Sequence, residues 1–186
     1  MPEQPDVVRE AGALAAAIAA RLRDVPDFPQ PGVVFKDIAP LLGDAAVFGQ
    51  AVARLGELAR RHEPVDLVAG VEARGFILAG ALARELSSGV VLVRKVGKLP
   101  PPTVRRSYRL EYGTAEIEVP VGVLDGRRVF LVDDVLATGG TLRAAAELLS
   151  QAGAEVVGVA VLLELGFLNG RAALSAIADP HALITA

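Results

Sequence analysis

Two stretches of this chain follow one plan: a short apolar run, a loop containing glycine, a segment of helical period and a second apolar run. In the first, residues 65–69 (VDLVA) and 90–93 (VVLV) flank a loop at 70–75 and a helix at about 76–86. In the second, residues 128–132 (RVFLV) and 155–163 flank a loop at 133–140 and a helix at 141–151. A strand that is apolar throughout is covered on both faces, and a helix between two such strands joins parallel neighbours. The chain is therefore expected to be an α/β protein with a mostly parallel central sheet flanked by helices. In such sheets ligands bind at the carboxyl ends of the strands, and both loops leave the sheet at that edge.

The remaining segments read as additions to this frame. Leu14, Ile18 and Leu22 recur every four residues and predict an amphipathic helix rather than a signal peptide, because Glu3, Asp6 and Glu10 precede it. The proline-rich stretch 26–40 predicts a stiff, irregular loop, and residues 44–62 a second helix with Phe48, Val52 and Leu55 on one face. Residues 103–119 read as a hairpin or flap outside the main sheet. In it, Glu116, Ile117, Glu118 and Val119 alternate as in an exposed antiparallel strand. His62 and His181 are expected at the surface, and residues 175–186 carry no functional signal.

Composition narrows the function. With 186 residues the chain fits one domain, and 52% hydrophobic residues supply a core. A net charge of −3 gives no general attraction to nucleic acid. The absence of cysteine removes thiolate metal sites, and two histidines argue against a zinc enzyme. No apolar run reaches the ~18 residues of a membrane span, so a cytoplasmic protein is expected.

The most informative segment is 129–141, VFLVDDVLATGGT. An apolar strand ends in Asp133 and Asp134, a turn of small and hydroxyl residues follows, and a helix begins. Gly139 and Gly140 allow positive φ and close backbone approach. The amides of Ala137, Thr138, Gly139, Gly140 and Thr141 can then converge on one anion at a helix amino terminus. No Gly-Lys-Ser/Thr follows, so this is not a Walker loop. The acid pair suits the hydroxyls of a sugar, or a share in holding magnesium. Glu72, Ala73 and Arg74, in the loop of the first unit, read either as a surface ion pair or as a site for pyrophosphate. Arg94, Lys95 and Lys98 form a basic knot beside Gly97, and such a charge cluster by itself reads as a solvated face.

The segment 129–141 resembles the signature of type I phosphoribosyltransferases, which bind phosphoribosyl pyrophosphate (PRPP). DFPQPGVVFKDIAPLL at 27–42, GVEARGFILAGALA at 70–83, VRKVGKLPPPT at 93–103, SYRLEYGTAEIEV at 107–119 and ELGFLNGR at 164–171 resemble the adenine branch of that family. The resemblance implies a five-stranded, mostly parallel sheet with a hood at roughly 24–42 and a flexible flap at roughly 103–119. It implies transfer of the 5-phosphoribosyl group of Mg-PRPP to adenine, giving AMP and pyrophosphate in purine salvage, and a homodimer. Carried over by residue, Glu72, Ala73, Arg74, Lys95 and Lys98 would bind pyrophosphate, from this or a neighbouring subunit. Val34, Phe35, Lys36 and Val135 would bind adenine. Glu111 and Tyr112 would belong to the catalytic flap, with Arg74 also catalytic and Glu111 handling the base proton. Lys36 stands where many members have arginine, and Val135 where many have leucine. Two rivals stay open: an enzyme for another base, and a PRPP-sensing regulator on the same fold.

Overall fold

The structure is a computed structural model that describes residues 5–110 and 113–186. The chain falls into two compact units, Met1–Ala53 and Arg54–Ala186.

The first unit opens with helix α1 (Pro5–Ala19), strands β1 (Arg23–Pro26) and β2 (Val34–Asp37), and the short helix α2 (Ala39–Leu42). Helix α3 (Ala45–Arg60) begins in this unit and ends in the next. The proline-rich stretch is irregular only over residues 27–33: on either side of it β1 and β2 form an antiparallel hairpin that pairs Arg23 with Asp37 and Asp24 with Lys36. Both register pairs are also ion pairs, at 2.7 and 2.8 Å. Pro26 ends β1, Pro29 and Pro31 lie in the turn and Pro40 lies in the first turn of α2, positions that tolerate a missing amide. The turn closes through the Gly32 amide, which donates to the Asp27 carboxylate at 2.7 Å. Asp44 caps α3 by accepting the amides of Ala46 and Val47 at 3.1 Å.

The second unit holds β3 (Leu67–Val71), α4 (Gly75–Leu86), β4 (Gly89–Lys95), β5 (Thr103–Leu110), β6 (Gly113–Pro120), β7 (Arg128–Leu136), α5 (Gly140–Gln151), β8 (Glu155–Glu164), α6 (Arg171–Leu174) and β9 (His181–Thr185). Its sheet runs in the order β5-β6-β4-β3-β7-β8-β9. The five strands from β4 to β9 in that order are mutually parallel, as expected. Val71, Val93, Val119, Leu131, Leu142, Leu148 and Val159 belong to one buried core. Among the described residues no helix is long and apolar enough to cross a membrane.

Four expectations change. The 103–119 hairpin is continuous with the sheet, because β6 pairs antiparallel with the end of β4 at Arg94 and Lys95. Glu118 is fully buried rather than exposed, since its strand has neighbours on both sides. Residues 181–185, read as silent, form β9 and extend the parallel sheet beside β8. His62 and His181 are half-buried and face each other, with 3.3 Å between their Nε2 atoms.

Only one of two facing imidazole nitrogens can donate, so the pair holds with at least one ring neutral. Burial, then the charge of His62, lowers the pKa of His181; Arg61 and Arg171 act the same way and Asp179 opposes them. The folded chain thus binds fewer protons than the unfolded chain below about pH 6.5. The stability this pair contributes is present above that pH and lost as the pH falls through it. Thermal unfolding followed from pH 7.5 to 5.5 should show a falling Tm, with a shallower fall in His181→Gln, which keeps a polar partner for His62. Equal slopes would remove the pair from this role.

Candidate active site

Strands β3 and β7 are adjacent and parallel, so the segments that follow them emerge side by side. Small residues set how closely they meet. A Cβ at Gly70 would lie 2.6 Å from the carbonyl oxygen of Gly75, and one at Gly75 would lie 2.8 Å from Asp133 Oδ1. Real Cβ atoms do not approach so closely, and only glycine lets the first turn of α4 fold back against the end of β7. That contact brings Arg74 beside the acid pair. The Glu72–Ala73 peptide is cis.

The acid pair lies inside β7 rather than in the loop after it. Pairing with β8 continues through Asp133, Val135 and Leu136, so the carboxylates ride on a rigid strand. Asp134 is 5% exposed. Its Oδ2 is 2.7 Å from Arg74 Nη2, yet it accepts no aligned hydrogen bond among the described residues. The contact is an ion pair. Asp133 Oδ1 accepts the amide of Asp134 at 2.9 Å. Burial, then the charge of Asp134, pushes the pKa of Asp133 well above the usual carboxylate range. Burial also raises Asp134, against the lowering influence of Arg74. Two adjacent carboxylates drawn out of water beside a single arginine suit sugar hydroxyls or a cation arriving with a substrate.

After Ala137 and Thr138, Gly139 caps α5 with φ of +80°. Gly140 is the first residue of the helix, so the left-handed conformation expected of both glycines belongs to Gly139. Thr138 is exposed and Thr141 half-buried. The turn presents free amides at the amino end of a twelve-residue helix, an anion site by geometry. A cavity of about 560 Å³ touches the turn at Gly140 and is otherwise lined, among others, by Tyr108, Arg143 and Glu147. Arg106 of β5 ion-pairs with Glu147 of α5, and Tyr108 Oη is 3.5 Å from Thr141 Oγ1.

The basic segment is held from behind. Glu72 Oε2 accepts the Lys95 amide at 2.9 Å and Arg94 Nε at 3.3 Å. Burial of Glu72 works to raise its pKa, but these donors outweigh it and the net shift is downward. Arg94 Nη1 in turn donates to the Lys98 carbonyl at 3.0 Å. Glu72 is therefore engaged with the end of β4. In the first unit, Phe35 packs edge-on against Phe28 at 5.2 Å, Val34 is half exposed and Lys36 pairs with Asp24. Glu111 and Tyr112 lie outside the described residues.

One support of the turn before α5 escapes inspection of its own sequence. Gly139 and Gly170 pack backbone on backbone: a Cβ on Gly139 would strike the Gly170 carbonyl, and one on Gly170 would strike the Ala137 carbonyl. Gly170 precedes α6, which Arg171 anchors by bonding the buried Glu164 at 2.8 Å and Asp179 at 2.8 Å. A glycine-glycine contact across 31 positions leaves no pattern of charge or hydropathy to read.

Residues 42–173 match the phosphoribosyl transferase domain. An adenine phosphoribosyltransferase from Kineococcus radiotolerans is 58% identical over 166 residues, covering 89% of each chain. The solved structure of adenine phosphoribosyltransferase from Rhodothermus marinus superposes with a TM-score of 0.89 at 44% identity, covering 94% of this chain and 99% of that one. That of the Trypanosoma brucei enzyme, in complex with AMP, pyrophosphate and ribose-5-phosphate, superposes at 0.83 with 26% identity, covering 100% of this chain and 81% of that one. The chain belongs to the phosphoribosyltransferase family and, within it, to the adenine phosphoribosyltransferases.

Gly170 has φ of −61°, open to any residue, so substitution there tests contact alone. Gly170→Ala should destabilise the fold by about 1–3 kcal/mol through overpacking and weaken PRPP binding by more than tenfold in calorimetric titration. Wild-type PRPP affinity in a folded Gly170→Ala would show that the turn does not depend on this support.

Proposed function

We propose that the chain transfers the 5-phosphoribosyl group of PRPP to adenine, releasing AMP and pyrophosphate, as a step of purine salvage. The observation that supports this most is the convergence of three features at adjacent strand ends: the 72–75 loop, the buried acid pair and the glycine turn at α5. Each suits one part of PRPP.

The 5-phosphate takes the amides of Ala137, Thr138, Gly139, Gly140 and Thr141. The ribose hydroxyls donate to Asp133 and Asp134. Arg74, Lys95 and Lys98 neutralise pyrophosphate as the C1–O bond breaks and N9 of the base bonds to C1. Glu72 and Ala73 shape the loop that receives it. For the base we carry forward Val34, Phe35, Lys36 and Val135, which would read adenine through main-chain groups and flat apolar contact. Glu111 accepts the proton leaving N9, directly or through water, with Tyr112 beside it on the flap. Among the described residues no cluster of three or more acidic or histidine side chains gathers to cage a metal. The adjacent carboxylates of Asp133 and Asp134, with Asp134 Oδ2 making no hydrogen bond among the described residues, fit magnesium carried with PRPP, which would neutralise charge on the leaving group. The one-domain organisation with a hood at about 24–42 and a flap at about 103–119, a homodimeric assembly and a cytoplasmic location belong to the same proposal.

The test is pyrophosphate release from PRPP and magnesium with adenine, hypoxanthine, guanine or orotate. Release with adenine alone is expected. Release with another base would keep the PRPP site and discard the base assignment, and PRPP binding without release would favour a sensor. Glu111→Leu should lower kcat by ~10²–10⁴ if this carboxylate moves the proton in the chemical step; an unchanged kcat would remove it from that role.

A further inference from the structure

The fully buried Glu118 lies outside every role given so far. It sits on β6, the strand between β4 and β5, in register with Arg94 on one side and Arg105 on the other. Its Oε1 accepts the amides of both Lys98 and Leu99 at 2.9 Å. Its Oε2 accepts Thr103 Oγ1 at 3.0 Å and lies 3.3 Å from Arg105 Nε. Both oxygens are thus used, and the carboxylate is satisfied in full. Burial alone would raise its pKa, but the two amides, the hydroxyl and Arg105 more than reverse this, so it stays an anion at neutral pH.

The two amides belong to no strand. They lie in the connection between β4 and β5, whose prolines 100, 101 and 102 have no amide to pair. Without Glu118 that connection would be held by the Arg94 bond to the Lys98 carbonyl and by its ends. Ion-paired carboxylates usually sit at the surface and contribute little. One drawn inside a strand layer to hold a lysine-bearing turn has a geometric purpose.

We propose that Glu118 is a positioning residue, which fixes the backbone at Lys98 so that its ammonium group meets the pyrophosphate of PRPP. The inference rests on the reading of Lys98 given above. Glu118 itself touches no substrate; it acts through Lys98. Its removal should therefore raise the KM for PRPP and leave the KM for adenine alone, whereas a residue serving stability only would lower Tm without selecting one substrate.

Steady-state kinetics on the full chain decide this. Glu118→Ala should raise the KM for PRPP about tenfold with the KM for adenine within about twofold. Glu118→Gln, whose amide oxygen can still accept both backbone amides, should stay within about threefold of wild type. In a Lys98→Ala background, Glu118→Ala should add no further rise. A PRPP effect of Lys98→Ala with none from Glu118→Ala, or additive effects of the two, would overturn the proposal while leaving the Lys98 reading intact. No PRPP effect from Lys98→Ala would overturn both. Should Glu118→Ala fail to fold, Glu118→Asp, which retracts the same charge by one methylene, takes its place: a raised PRPP KM supports the proposal and an unchanged one overturns it.

Discussion

The close contact between the first turn of α4 and the end of β7 sets the geometry of this site. It exists because Gly70 and Gly75 have no side chain where a methyl group would meet a carbonyl or the Asp133 carboxylate. Parallel pairing of β3 and β7 makes the two loops neighbours in any case. The glycines convert neighbours into partners, with Arg74 within 2.7 Å of Asp134. An arginine and a buried acid pair held this way form a region of opposed charge in low dielectric, where each is worth more than in water. In the function proposed above, the hydroxyls of PRPP would meet the acids and its pyrophosphate the cations.

Much of this was legible in the sequence because it follows from short-range pattern. Uniformly apolar runs marked the buried parallel strands, and helical period marked α4 and α5. The order of strand, acid pair, glycine turn and helix at 129–141 marked the passage from β7 to α5. The boundaries were harder. Asp133 and Asp134 look like loop residues, since two adjacent carboxylates disfavour a strand interior; pairing with β8 outweighs that preference. The proline-rich segment looked irregular throughout, but β1 ends at Pro26 and β2 begins at Val34, and the two pair across the turn that holds Pro29 and Pro31.

What the sequence hid depends on long-range contact. Gly139 and Gly170 find each other only after β8 has returned along the sheet. The His62–His181 pair joins the end of α3 to a last strand whose five residues show no alternation strong enough to read. Glu118 looked solvent-facing because alternation in one strand gives a face but not what covers it. On a hairpin standing free of the sheet it would be exposed. The pairing of β6 with β4 closes it in.

These hidden contacts share a physical form. Substrate loops need backbone amides and cations held in place without secondary structure, because a regular ladder would consume the groups meant for the ligand. Here a carboxylate behind each loop supplies the restraint: Glu72 for the end of β4, Glu118 for the turn at Lys98, and Glu164 through Arg171 for the glycine that supports the phosphate turn. A carboxylate accepts several hydrogen bonds at once and bonds to charged acceptors exceed neutral ones in strength. Its burial is unfavourable unless those bonds are made. That condition is also what gives precision: the loop must adopt the one arrangement that fills the carboxylate, so the penalty for an unfilled buried anion disfavours every other. A substrate with several negative charges could not be met by unrestrained lysines without a large loss of side-chain and loop entropy on binding. Placing anions behind the cations meets part of that ordering cost when the chain folds, before any substrate arrives.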